Sequence, residues 1–264
     1  MSAKSNARQV RRGLVLKELD LTPLWRIRQA GMPKADQPRR QAGGASAVEA
    51  GSDPVAFPAP TSRVDQPDDR RMKILRMGWE QLETSVADCV ACQLCKSRSR
   101  TVFGVGDRNA DWLYVGEGPG VQEDALGEPF VGPAGQLLDN LLAAINLKRG
   151  RNVYIANIVK CRPPGNREPS PEEAKCCEPY LARQIEMIRP KLIIALGKTA
   201  ASNLLQTNAS LGSMRGSLHR YKGIPVIVTY HPAYLLRNLP GKAMAWEDLC
   251  FARSTMNSLL QSES

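Results

Sequence analysis

Six of the seven cysteines in this 264-residue chain lie in two parts of the sequence, and their spacing is the strongest constraint on its fold. They are Cys89, Cys92 and Cys95 in the first part, and Cys161, Cys176 and Cys177 in the second. A C-x-x-C pair lets two thiolates reach one metal centre from a tight turn. The pattern therefore predicts one four-thiolate site, completed by Cys161 and one cysteine of the 176/177 pair.

The type of metal remains open between zinc and iron on residue chemistry, because both accept four thiolate ligands. Zinc sites usually repeat the C-x-x-C pair, whereas fifteen residues separate Cys161 from Cys177 here, which favours an iron–sulfur cluster.

The N-terminal residues are polar and basic and lack the apolar segment of a secretory signal. We therefore expect a cytoplasmic protein with reduced cysteines and no disulfide framework. The isolated Cys250 is expected in the core.

The chain has a formal net charge of +10, which indicates an anionic partner such as nucleic acid. More than half of that charge lies in residues 1–75, which hold 14 Lys and Arg against 8 Asp and Glu. Residues 31–72 are rich in Pro, Gly, Ala, Ser, Gln and Asp, a composition typical of a linker. We predict a disordered basic arm over residues 1–74 and a folded domain over residues 75–264. No run approaches the roughly 18 apolar residues of a membrane span.

Strands and helices alternate along the predicted domain. Short β-branched runs that predict buried strands cover residues 111–116, 153–159, 191–197 and 225–230. Helical spacing is found over residues 135–147, from Pro171, after the third strand, and from about Ala243. This order predicts an α/β fold with a mostly parallel four-stranded sheet and helices on both faces.

Four segments with polar residues and glycines follow the predicted strands, at the edge where such folds bind ligands. They cover residues 116–124, 129–135, 157–164 and 231–237. The first does not match a dinucleotide-binding loop, because its glycines do not fit G-x-G-x-x-G and Pro119 has no N–H to offer a phosphate.

Taken in order over residues 85–250, these segments and the cysteines resemble family 4 uracil-DNA glycosylases. The resemblance implies the three-layer αβα sandwich of that superfamily and a four-iron four-sulfur ([4Fe–4S]) cluster with a structural role. Cys89, Cys92, Cys161 and Cys177 match the ligand positions, with Cys176 as the alternative to its neighbour.

The resemblance also implies a monofunctional glycosylase that flips deoxyuridine out of DNA and hydrolyses its N-glycosidic bond. Phe130 matches the aromatic residue that stacks on uracil, and Asn157 matches the residue that reads the base. His231 matches the histidine that stabilises the departing uracil anion through O2. Gly118 stands where other uracil glycosylases have Asp or Asn. The carboxylate that orients water is therefore either Glu117, our first choice, or Glu123.

The segment after His231 is expected to contact DNA. Tyr234, Leu235 and Leu236 are predicted to wedge into the gap left by the flipped base, and Arg237 to hold a phosphate. The resemblance implies single- or double-stranded uracil-containing DNA as the partner of a monomeric enzyme. An apolar island at residues 14–25 could bind a replication or repair protein or dock on its own domain.

Three alternatives are weighed against this interpretation. A related subgroup captures the abasic product through a histidine in a basic loop, but the interval between Cys161 and Cys177 contains no histidine. A non-catalytic iron–sulfur DNA-binding accessory protein would need none of Glu117, Phe130, Asn157 and His231. A zinc-stabilised structural domain would be colourless.

Overall fold

A computed structural model describes residues 67–262 of the chain. The helices are α1 (Pro67–Leu75), α2 (Trp79–Ala87), α3 (Val121–Leu126), α4 (Pro133–Ala144), α5 (Pro171–Ile188), α6 (Lys198–Leu205), α7 (Leu211–Met214), α8 (Pro232–Arg237) and α9 (Gly241–Ser262). The strands are β1 (Val105–Gly106), β2 (Trp112–Gly116), β3 (Val153–Asn157), β4 (Leu192–Leu196), β5 (His219–Tyr221) and β6 (Ile224–Thr229). Short 3-10 turns cover Gln93–Lys96 and Pro164–Asn166.

The strands form one sheet in the order β1-β3-β2-β4-β6-β5. Neighbours among β3, β2, β4 and β6 are parallel, and the two short edge strands β1 and β5 pair antiparallel. The four predicted strands are therefore confirmed, and the prediction of only four is corrected to six. The edge strands were missed because two or three residues are too few to show a periodic pattern.

Helices cover both faces of the sheet, which confirms the predicted three-layer arrangement. Every residue of β2, β3 and β4 is buried, as expected for strands that contact helices on both sides. One face packs against Leu138 and Leu142 of α4 and Leu249 of α9. The other packs against Leu181 of α5 and Leu204 of α6. None of the described helices is long and apolar enough to cross a membrane.

The folded domain begins earlier than residue 75. Helix α1 already covers Pro67–Leu75, and its Ile74 is 2% exposed in a small cluster with Leu82, Val86 and Tyr180. The predicted boundary thus falls inside a helix that packs on α5. Residues 1–66, including the linker and the apolar island at 14–25, lie outside the described residues.

A buried ion pair supports the end of β6. Arg215 donates from Nε and Nη2 to the two carboxylate oxygens of Asp248 at 2.7 and 2.9 Å, and Thr229 Oγ1 donates to Asp248 at 2.7 Å. The Arg215 guanidinium also lies 4.6 Å from the Tyr230 ring centroid. These contacts fix the last residues of β6 immediately before His231.

Candidate active site and cysteine site

The carboxyl ends of the four parallel strands bring the predicted site residues to one edge of the sheet. Glu117 directly follows β2, Asn157 is the last residue of β3, and His231 lies just beyond β6. Backbone hydrogen bonds extend the sheet past these ends, from Ile158 N to Gly116 O at 2.9 Å and from Gly197 N to Thr229 O at 2.8 Å. The edge is therefore a rigid platform for side chains from different strands.

Asn157 presents a buried acceptor without a partner. The residue is 2% exposed, and its Oδ1 has no hydrogen-bond partner among residues 67–262. A buried polar atom left unpaired costs free energy, and such atoms often mark a ligand position. The Asn157 backbone is held separately, because Lys160 Nζ donates to its carbonyl oxygen at 3.1 Å.

The sequence analysis did not identify Lys160, although a lysine that is 1% exposed is rare in a protein interior. Its ammonium donates to Gln184 Oε1 at 2.7 Å as well as to Asn157. Burial lowers its pKa to about 8, whereas the thiols of Cys177 and Cys161 act to raise it. The position of Lys160 directly after a strand and beside Cys161 could have marked it as a candidate site residue. The direction of its side chain, however, could not be derived from the sequence.

Phe130 lies next to Asn157 and His231, as predicted. A methyl group placed on Gly116 would lie 2.5 Å from both Phe130 Cζ and Asn157 Oδ1, so the ring and the amide flank this glycine. The Phe130 and His231 ring centroids are 5.5 Å apart. Phe130 adopts a left-handed backbone with φ of 54°, which is unfavourable for a bulky side chain and is common at functional sites.

His231 caps helix α8 with its own ring. The Ala233 N–H donates to Nδ1 at 3.2 Å, so the proton of the neutral ring is on Nε2. Loss of solvent lowers the pKa of His231 to about 4; Glu123 acts to raise it and Arg237 lowers it further. At neutral pH the ring is therefore an uncharged donor through Nε2–H.

The two candidate carboxylates have different surroundings. Glu123 Oε1 accepts hydrogen bonds from the N–H groups of Val131 and Gly132, both at 3.0 Å, so it holds the loop that carries Phe130. Burial raises the pKa of Glu117, and a hydrogen bond with the Thr199 side chain partly opposes that rise. Glu117 is thus the less stabilised of the two carboxylates.

Gly118 fits against the segment that follows β3. A methyl group there would lie 2.8 Å from Val159 Cγ2 and 3.8 Å from Pro163 Cδ. A larger residue at this position would require Val159 to move. Val159 lies between Asn157 and Cys161 in the chain, so both of these residues would be disturbed. The structure therefore explains the glycine by backbone packing, and its contact with substrate stays a prediction.

Helix α8 does not expose all of the predicted DNA contacts. Tyr234 and Leu236 are 40% and 44% exposed, and Arg237 is also exposed. Leu235 is fully buried, so its prediction as a wedge residue is wrong for this conformation. The reason is helical geometry, because consecutive positions point about 100° apart and only one face of α8 meets the interior. Leu239, which the sequence analysis did not select, is 66% exposed just after α8.

The six clustered cysteines line one cavity, which confirms that the fold brings their two parts of the sequence together. The rest of its lining includes Arg98, Lys160 and Tyr180. Cys250 lies apart on α9 and is partly exposed rather than in the core. Among the described residues, no three His, Cys, Asp or Glu side chains are arranged to hold a single metal ion.

Three sulfur atoms at this cavity accept an N–H hydrogen bond. Arg70 Nη2 donates to Cys89 Sγ at 3.7 Å, and Arg98 Nη1 donates to Cys161 Sγ at 3.1 Å. The backbone N–H of Lys160 donates to Cys177 Sγ at 3.3 Å, and the backbone N–H of Leu94 acts to lower the pKa of Cys92. Such donors are typical partners of thiolate ligands. No comparable donor to Cys95 or Cys176 is found within residues 67–262.

The thiols of Cys92, Cys161 and Cys177 would stay protonated without a compensating cation. Burial raises the pKa of Cys177 to about 12 and also raises the pKa values of Cys92 and Cys161. A bound metal deprotonates its thiol ligands outright, so it would supply the missing positive charge. The donor set and its N–H partners therefore fit a thiolate-bound metal centre.

Comparison with known proteins agrees with this geometry. Residues 103–250 match the model of the uracil DNA glycosylase superfamily, so the chain belongs to that superfamily. It is 43% identical over 165 residues to the type-4 uracil-DNA glycosylase of Archaeoglobus fulgidus, covering 60% of this chain and 82% of the relative. It is 46% identical over 161 residues to the type-4 enzyme of Thermotoga maritima, covering 60% and 83%.

A third type-4 uracil-DNA glycosylase, from Saccharolobus solfataricus, is 41% identical over 181 residues, which cover 66% of this chain and 84% of the relative. Within the superfamily, the chain therefore belongs to the type-4 family.

The ring of His231 should remain uncharged through the mildly acidic range. Its pKa in the folded protein, about 4, lies below the value of 6.5 expected for an exposed histidine. Unfolded chains would therefore bind a proton first, and this group should lower stability as the pH falls from about 6.5 towards 4. NMR titration of the ring signals tests this, with His219→Gln assigning the only two histidines. Protonation of His231 near pH 6 would contradict the lowered pKa.

Proposed function

We propose that the protein is a monofunctional uracil-DNA glycosylase of base-excision repair, which flips deoxyuridine out of DNA and hydrolyses its N-glycosidic bond. It releases uracil and leaves an abasic site. The observation that carries the proposal is the buried, unpartnered Asn157 Oδ1 beside an aromatic ring and a neutral histidine. Membership of the type-4 family supports the same activity.

Asn157 reads the base by hydrogen-bond direction. Its Oδ1 accepts from uracil N3–H, and its Nδ2 donates to O4. Cytosine presents an acceptor at N3 and a donor at the fourth position, so it would leave both groups of the amide unpaired in a buried site. Leaving a buried polar group unpaired costs more than losing a contact, which gives strong discrimination. The Phe130 ring stacks on the flipped base and fixes its plane.

His231 stabilises the leaving group. As the glycosidic bond breaks, electrons remain on uracil and negative charge develops on O2 while positive charge develops on the sugar. The Nε2–H of a neutral imidazole, fixed by the Ala233 N–H on Nδ1, donates to that oxygen. A preoriented donor of this kind needs no rearrangement during bond cleavage.

Glu117 orients the attacking water and stabilises the sugar cation. The assignment is supported by the hydrogen bonds of Glu123, whose Oε1 is already engaged with two backbone N–H groups of the Phe130 loop. Glu117 instead directly follows β2, with a raised pKa that favours proton acceptance from water. Glu123 then acts as a positioning residue for Phe130.

DNA is bound on the side of helix α8. The exposed Tyr234 and Leu236 are suited to fill the gap left by the flipped nucleotide, and the adjacent Arg237 to contact a phosphate. A monomeric enzyme in the cytoplasm, associated with the nucleoid, is consistent with this substrate.

Cys89, Cys92, Cys161 and Cys177 are the ligands of a [4Fe–4S] cluster. Three of these four sulfur atoms accept N–H hydrogen bonds within the described residues, and Cys177 is one of them whereas Cys176 accepts none there, which favours Cys177 over Cys176. When bound, the cluster supplies covalent links between the loop after α2, the end of β3 and helix α5. The role of these residues is therefore to hold the segment that carries Asn157, not to transfer electrons in the reaction.

Activity is tested on an oligonucleotide with one uracil, followed by alkaline cleavage at the abasic site. The protein should cut this substrate and leave the matching cytosine and thymine oligonucleotides intact. Asn157→Ala and His231→Ala should each lower kcat/KM by roughly 10²–10³-fold, because each removes a preoriented partner of the base. Asn140→Ala, at an exposed position of α4, is the control. An inactive protein with intact cysteine site would instead support the accessory DNA-binding alternative.

The two carboxylates are separated by conservative substitution. Glu117→Gln should lower kcat by about 10²-fold or more, because an amide cannot accept the proton of water. Glu123→Gln should retain most activity, since its amide oxygen can still accept from Val131 and Gly132. Steady-state kinetics on the same oligonucleotide measure both effects. The reverse order of losses would assign the water to Glu123.

The ligand assignment is tested on purified protein without reference to activity. Cys177→Ala should lose the visible absorption of the cluster and most of its iron and sulfide, because no backbone N–H like that of Lys160 is found for Cys176 among the described residues. Cys176→Ala is the matched control and should retain both. Elemental analysis that finds zinc, in a colourless protein, would overturn the iron–sulfur assignment.

A further inference from the structure

Arg149 forms a fork on the loop that carries Phe130. Its Nη1 donates to the carbonyl oxygen of Pro129 and its Nη2 to that of Phe130, both at 2.8 Å. Its Nε donates to Asp139 Oδ1 on helix α4 at 3.0 Å, which fixes the plane of the guanidinium. The planar guanidinium of arginine holds two consecutive carbonyls with a fixed pair of parallel donors, which the rotatable ammonium of lysine does not provide.

The loop needs such support because of the backbone of Phe130. A phenylalanine with φ of 54° is strained, and strained residues persist only where their surroundings fix them. Glu123 binds the N–H groups of Val131 and Gly132, so Arg149 and Glu123 together satisfy four consecutive residues of the loop. Gly135 completes the fit, because a methyl group there would collide with the Phe130 carbonyl.

We propose that Arg149 is a positioning residue that sets the affinity of the site for uracil by fixing the ring of Phe130. The inference rests on the proposed function, in which Phe130 stacks on the flipped base. The route is direct: the guanidinium holds the carbonyls of Pro129 and Phe130, and so fixes the two peptide planes that flank Phe130. Those planes set φ and ψ of Phe130, which direct its ring towards Asn157 and His231. A rotation of either peptide group would move the ring away from the base.

A direct contact between Arg149 and a DNA phosphate is the competing explanation. The structure argues against it, because Nε, Nη1 and Nη2 all have protein acceptors and the side chain is 22% exposed. Arg151, two residues later on the same connection, is exposed and serves as a matched control. It carries the same charge but makes no contact with the Phe130 loop among the described residues.

The test compares Arg149→Gln with Arg151→Gln in the cluster-loaded protein. Arg149→Gln should raise both KM for the uracil oligonucleotide and the inhibition constant of free uracil by about 10-fold, with a smaller change in kcat. Free uracil has no phosphate, so its inhibition constant reports on the base pocket alone. Arg151→Gln should leave uracil inhibition unchanged. Equal uracil inhibition in the two variants would overturn the proposal.

A double-mutant cycle with Phe130→Leu identifies the route of the effect. If Arg149 acts through the ring, Arg149→Gln should weaken inhibition by uracil when Phe130 is present. In the Phe130→Leu background, the same substitution should weaken inhibition little further. Full additivity of the two substitutions would show that Arg149 acts elsewhere and would contradict the proposal.

Arg149→Lys controls for a folding defect. It preserves the charge and most of the side-chain volume of Arg149 but removes the planar pair of donors. It should keep the visible absorption of the wild type and still weaken uracil inhibition. Wild-type inhibition in Arg149→Lys would reject the positioning role. Failure of the wild-type protein to release uracil would reject the proposed function itself, so the two failures are distinguishable.

Discussion

The hydrogen bonds of Lys160 connect the two functional parts of this molecule. Its ammonium holds the Asn157 carbonyl while its backbone N–H donates to Cys177, and Cys161 is the next residue. The segment 157–161 therefore contains both the amide that we propose reads the base and a cysteine of the proposed metal site. Because a buried lysine must keep its partners, a shift at the cysteines would be transmitted to Asn157. In the proposed function, stability of the metal site and accuracy of base recognition are thus linked through one short segment.

The two parts differ in their electrostatics in a way that suits their roles. The cysteine cavity has Arg70, Arg98 and Lys160 nearby, which can offset the negative charge of four thiolates. The base pocket instead presents neutral groups, an amide and an uncharged imidazole. Neutral donors and acceptors that are fixed in advance can distinguish one base from another without a strong general attraction for anions.

Much of the fold could be predicted because its central strands are short, apolar and separated by helical patterns. The four parallel strands and the layers on both faces follow from that alternation. The edge strands β1 and β5 could not be predicted, because two or three residues show no period. The start of α1 was missed because its composition is polar and, of residues 69–75, whose burial the structure describes, only Ile74 is buried. Leu235 was misjudged because only one face of α8 meets the interior, and which face that is depends on residues distant in the sequence.

The sequence by itself determined which residue types are available to the chemistry: six clustered thiols, and an amide, a histidine, an aromatic ring and two acids in segments that come after predicted strands. The sequence determines this much because strands and the segments that follow them can be recognised from short stretches of the chain. Only the tertiary structure decided how the similar residues divide their roles. Glu123 is bound to the Phe130 loop and Glu117 is not, and Cys177 meets a backbone N–H next to Cys161. Arg149 reaches the same loop from another connection. Hydrogen bonds between segments distant in the sequence depend on side-chain direction, which no local pattern specifies.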